Sequence, residues 1–112
     1  MARAYRILGQ VNPSANVLST LYTVPASNSA IISSIVVSNL DENVGGGASF
    51  RIAANVSGVA VGNSNYIAYS VNVPARDTVT MTLGITLNAG SIVSINANSS
   101  LVTFSAFGTE IY

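Results

Sequence analysis

The sequence predicts an all-β chain: a single domain built as an antiparallel β-sandwich or jelly-roll-like fold of about eight strands. Three observations carry that expectation. Apolar residues recur with period two rather than 3.6, turn residues interrupt the chain at short intervals, and the strong helix formers Lys, Glu and Gln are nearly missing from the 112 residues. Such alternation lets a pleated strand turn one face to a core, and short strands without helices between them pair antiparallel.

In chain order, residues 1–17 hold two of the four arginines, Arg3 and Arg6, and little alternation. They are expected to form either a first strand over Ala4 to Gln10 or an arm that crosses to a neighbour, with residues 18–112 as the sandwich domain. Asn12-Pro13-Ser14 and Pro25-Ala26-Ser27-Asn28 bracket a second strand, Ser19 to Val24. The third, Ala30 to Asn39, reads AIISSIVVSN, with no charge and no breaker, a type of segment that aggregates when exposed. Strict alternation sets Ile32, Val36 and Leu40 on one face and Ile31, Ile35 and Val37 on the other. Both faces therefore require cover, one from the core and one from a neighbouring subunit, and Ile35 is a candidate assembly contact.

Asp41-Glu42-Asn43 with Gly45-Gly46-Gly47 makes the most polar loop. In the fourth strand, Ser49 to Val56, the residues Phe50, Ile52, Ala54 and Val56 oppose Arg51, Ala53 and Asn55. Alternation in the fifth, Asn65 to Val73, sets Tyr66 and Tyr69 on opposite faces, one for the core and one for a subunit contact, with Tyr66 a candidate. The sixth, Thr78 to Leu83, alternates Val79, Met81 and Leu83 with threonines. Ser91 to Asn96 and Leu101 to Tyr112 complete the set, separated by turns at Pro74-Ala75-Arg76-Asp77, Asn88-Ala89-Gly90 and Asn96 to Ser100.

Charged residues make up only 7% of the chain, against roughly 25% in an average soluble domain. Four arginines offset four acids, so neither nucleic acid nor an anionic membrane is an expected partner. Zero net charge with a mean hydropathy of +0.51 favours association, and a homo-oligomer is expected. No stretch approaches the roughly 18 apolar residues of a membrane span, and the start lacks a secretory apolar run, which predicts synthesis as a cytosolic soluble chain.

Histidine and cysteine are both absent, which removes the commonest general base, the commonest metal ligand and the thiol nucleophile. No catalytic residue, metal site or cofactor is expected. Asp41, Glu42, Asp77 and Glu110 form no plausible acid–base pair, and the Gly45-Gly46-Gly47 run lacks the lysine of a phosphate loop. Asp41-Glu42-Asn43 offers too few ligands for calcium. Asn55-Val56-Ser57 and Asn98-Ser99-Ser100 match a glycosylation acceptor pattern but are read as turn chemistry. A carbohydrate-binding module, with Tyr66 or Tyr69 as a stacking surface, is the alternative from another functional class.

The run LYTVPASNSAIISSIVVSN, followed in order by FRIAANVSG, NYIAY, Asp77-Thr78, TLGITL, SIVSI and VTFSAFGTEI, resembles small virion structural proteins of tailed bacteriophages, including cyanophages. The resemblance spans Leu18 to Ile111. It implies a head decoration (cement) protein, usually a trimer seated on the major capsid protein, or a tail, baseplate or fibre component, located in the virion after assembly in the host cytoplasm. It brings no catalytic motif. The segment with Arg3, Tyr5, Arg6 and Ile7 is the expected contact with the capsid or a neighbouring protomer, its arginines giving directed hydrogen bonds and its apolar residues area.

Overall fold

The computed structural model describes residues 2–56 and 59–112. Ser57, and with it the first acceptor pattern, lies outside the described residues. Eight strands follow in order: β1 (Arg3–Val11), β2 (Ser19–Thr23), β3 (Ser29–Asn39), β4 (Ala48–Val56), β5 (Tyr66–Val73), β6 (Thr78–Leu87), β7 (Ser91–Ala97) and β8 (Val102–Ile111). A 3-10 turn, Asn63–Asn65, precedes β5. The strands form two antiparallel four-stranded sheets, β1-β8-β3-β6 and β2-β7-β4-β5.

This order is that of one long hairpin rolled up on itself. Its two arms pair β1 with β8, β2 with β7, β3 with β6 and β4 with β5; rolling adds the β3·β8 and β4·β7 pairs. Every connection except β4–β5 crosses between the sheets, which makes the sandwich an eight-stranded jelly roll. Three of the turns share one device. In Pro25–Asn28, Pro74–Asp77 and Asn88–Ser91, the fourth residue's N–H donates to the first carbonyl, and Ser27, Arg76 and Gly90 take positive φ at the third position.

The inner faces meet in an apolar core. Ile32, Ile35 and Val37 of β3 face Ile52, Val93 and Ile95 of the other sheet, all essentially inaccessible. Phe50 of β4 and Phe104 of β8 meet edge to face at 5.9 Å across the sandwich. Each large buried side chain contributes roughly 1.5–3 kcal/mol through lost apolar area.

Strict alternation fails in β3, for an identifiable reason. A bulge at Ser33 adds a residue to β3 against β8 between Ile32 and Ser34, so Ile32 and Ile35 point the same way, inward; against β6 the register shifts at the same place, but there the extra residue lies on β6, between Thr82 and Ile85. Val36 and Ile31 are left on the outer face, half-buried. The bulge demands close backbone contact: at Gly108 of β8, any side chain would collide with the Ile31 carbonyl oxygen. Where β3 ends, the buried Asn39 ties three segments together. Its amide donates to the carbonyls of Gly46 (2.8 Å) and Val73 (3.1 Å), and its oxygen accepts from the Asp41 N–H at 3.0 Å.

Candidate functional site

The first candidate surface lies along β1. This strand pairs with β8 on one side and forms the edge of its sheet on the other. Arg3, Tyr5 and Ile7 lie opposite Ile111, Thr109 and Phe107, on the outer face, where Tyr5 is 77% and Ile7 54% exposed. Ala4 and Arg6 share the other face with their partners Glu110 and Gly108, turned toward the seam between the sheets.

There Arg6 meets Glu110 at 3.1 Å, and the second oxygen of the same carboxylate accepts a 2.6 Å hydrogen bond from the Tyr22 hydroxyl of β2. Glu110 and Tyr22 are both buried. Burial, reinforced by the hydrogen bond to Glu110 and its negative charge, pushes the Tyr22 phenol well above its ordinary 10.0. Arg6 is thus partly spent on holding β1 to the core, and three of the four N-terminal candidates, Arg3, Tyr5 and Ile7, present themselves outward. Ile35 does not: it is fully buried in the core because of the Ser33 bulge, so it offers no surface to a partner.

Beside β1 the outer face of this sheet carries hydroxyls: Ser34 and Ser38 on β3, Thr80 and Thr82 on β6, Thr103 and Ser105 on β8. Ile31, Val36 and Phe107 lie among them. Arg3 is the only ionisable side chain other than Tyr5 that the register assigns to this face among the described residues.

The second surface is the outer face of the other sheet. Here the expected opposition of Tyr66 and Tyr69 is corrected. The β4·β5 pairing slips twice, because Val71 to Ala68 spans three steps against two from Phe50 to Ile52, and Ala68 to Tyr66 spans two against one. Ser70, with φ of 53°, marks the first slip. The extra residues bring both tyrosines to one face, with ring centres 5.0 Å apart and planes at 84°. Tyr69 is 58% exposed and Tyr66 half-buried.

Arg51 of β4 lays its guanidinium carbon 4.0 Å from the centre of the Tyr69 ring, a cation–π contact. Asn63, Tyr66 and Tyr69 line an open cavity of about 460 Å³. On the other side of Arg51, a cavity of about 110 Å³ is lined by Arg51 itself, Asn16, Ser49, Asn96 and Asn98. Sequence reasoning missed this amide cluster. Asn96 lies directly opposite Arg51 in the β4·β7 register, but Asn16 and Asn98 come from separate turns, and only the register brings the three together.

Among the described residues, no group of three or more His, Cys, Asp or Glu side chains is placed to hold a metal ion, and no helix is long and apolar enough to cross a membrane. Asp41 and Asp77 accept hydrogen bonds from backbone N–H groups of their own turns.

No protein-family model matches the chain, and no curated protein matches it. Among solved structures it is similar to a pentameric capsid protein isolated from metagenomic phage sequences, with 16% sequence identity and a TM-score of 0.31 over 97% of this chain. The chain spans 61% of that protein's length. A superposition that loose assigns neither a role nor an assembly.

Proposed function

We propose that this chain is a virion structural protein of a tailed bacteriophage, a capsid decoration (cement) protein that forms a homotrimer and seats on the major capsid protein. The observation that carries the proposal is the hydroxyl-rich, charge-poor outer face of the first sheet, with Tyr5 and Ile7 exposed at its edge. A free monomer of zero net charge with this face and an uncovered edge strand is prone to association. In a symmetric assembly the same features become interface: Tyr5 and Ile7 supply apolar area, Arg3 directed hydrogen bonds, and the hydroxyls complementary polar contacts. The jelly roll supports the reading, being a fold that builds viral capsids, although it serves lectins as well. The role is structural rather than catalytic, and needs no cofactor.

Tyr66 sits on the outer face of the opposite sheet, so one flat contact cannot hold it together with Tyr5 and Ile7. The lattice contact is assigned to the β1 face. Deleting residues 2–9 would remove the edge strand and its tie to Glu110, and so would test folding rather than binding. Ile7→Lys is the better variant, because Ile7 is exposed. The folded variant is expected to lose binding to bare capsids, and saturation equal to the parent chain would refute the contact. Imaging of intact particles tests location: density across the capsid facets is expected, whereas density confined to the tail would replace this reading with a tail, baseplate or fibre role.

A further inference from the structure

We infer that the outer face of the β2-β7-β4-β5 sheet is a binding site for an acidic saccharide, with the Tyr66–Tyr69 pair as the aromatic wall of the site and Arg51, held on Tyr69, as the carboxylate anchor. The site does not depend on the virion reading, since it lies on the face opposite β1.

Three features converge on this ligand class. The two slips in β5 bring two aromatic rings together edge to face on one side of the sheet, where a lone exposed Tyr would need no explanation. An aromatic ring offers the C–H face of a pyranose a flat apolar partner, and the cavity beside the pair, about 460 Å³, falls within the range of small-ligand sites. Next, Arg51 is held over Tyr69 and makes no salt bridge among the described residues. The other outward residues of β4 and β7, namely Ser49, Ala53, Asn55, Ile92, Ser94 and Asn96, carry no charge, so no carboxylate on this face competes for the guanidinium. Such a fork, already oriented, matches a sugar carboxylate bidentately.

The third feature is the amide cluster around the 110 Å³ cavity. Asn98 uses its oxygen to accept from the Ser49 N–H at 3.0 Å, which leaves its amide N–H groups as donors. Asn16 is held at φ of 60° with its backbone N–H bonded to Ala97. Side-chain amides both donate and accept, as vicinal sugar hydroxyls do. A single-stranded nucleic acid would also stack on the tyrosines, but one arginine on a chain of zero net charge gives almost no counterion-release affinity.

The test is an array of uronate-, sialate- and ulosonate-terminated oligosaccharides beside their neutral counterparts, probed with the full chain and with Arg51→Gln and Tyr69→Ala. Unchanged thermal midpoints for both variants establish that they fold. At least one acidic class is expected to bind in preference to its neutral counterpart, with affinity falling at least about tenfold in each variant. Absence of any acidic binder overturns the site. So does equal binding of acidic and neutral forms, or binding that survives Tyr69→Ala. Acidic-sugar binding by a protein found to be absent from particles would leave this site standing and remove only the virion reading.

Discussion

Replacing Tyr22 by Phe isolates the polar seam that ties β1 and β2 to the core. The ring stays and no cavity opens; what is lost is the 2.6 Å hydrogen bond to Glu110, whose remaining charged partner is Arg6. A hydrogen bond to a charged acceptor contributes roughly 1.5–3 kcal/mol, so a loss of about 2 kcal/mol near neutral pH is expected. For a chain of this size that lowers the melting midpoint by about 8 °C.

The pH dependence gives the sharper test. Folded Tyr22 keeps its proton well above 10.0, while the unfolded chain releases it near that value. Its contribution is therefore complete below pH 10 and declines as pH rises further, by about 1.4 kcal/mol for each unit above 10 until the folded phenol itself ionises. The other four tyrosines are common to both chains and cancel in the difference. Denaturation of parent and variant at pH 7, 9, 10 and 11 should show a stability gap that is constant to about pH 10 and roughly 1 kcal/mol or less at pH 11. A gap of the same size at pH 7 and pH 11, or no gap at pH 7, would refute the reasoning.

Further consequences follow for packing. Asn39→Ala strips three hydrogen bonds and leaves backbone groups of Asp41, Gly46 and Val73 without their partner; a loss of at least about 3 kcal/mol in urea denaturation is expected. Gly108→Ala forces a methyl onto the Ile31 carbonyl and should cost about 2 kcal/mol or more, whereas Gly84→Ala on β6, with nothing nearby, should stay within about 0.5 kcal/mol. Equal effects at the two glycines would remove the close-approach argument. Ile35→Val should cost about 1 kcal/mol in the same assay without changing the sedimentation of the chain, because its methyl is lost from the core and not from a subunit contact.

The strands were legible in the sequence because each half-buried strand repeats its period over several residues, and Pro, Asn and Gly mark the turns between them. Strand order was not, since rolling the hairpin brings β3 beside β8 and β4 beside β7, partners tens of residues apart. The errors of face share one origin. The face of Ile35 and the opposition of Tyr66 to Tyr69 both rest on parity, and parity survives only until a bulge: Ser33 in β3 and the slips in β5 each add a residue that period-two reasoning counts as ordinary. In β1 the alternation runs unbroken from Arg3 to Ile7, because the register shifts only after Ile7, and it separates Arg6 from Arg3, Tyr5 and Ile7, four residues that the sequence presents as one segment. The Glu110 carboxylate looked like an isolated charge near the end of the chain; its buried partner Tyr22 lies 88 residues away, and no local pattern joins them.

The proposal as a whole rests on the chain assembling as a homotrimer that presents the β1 face to the capsid. Sedimentation of the purified chain at micromolar concentration tests that most directly. A single species at three times the 11.5 kDa chain mass is the predicted result, and a stable monomer, soluble at high concentration, would contradict it.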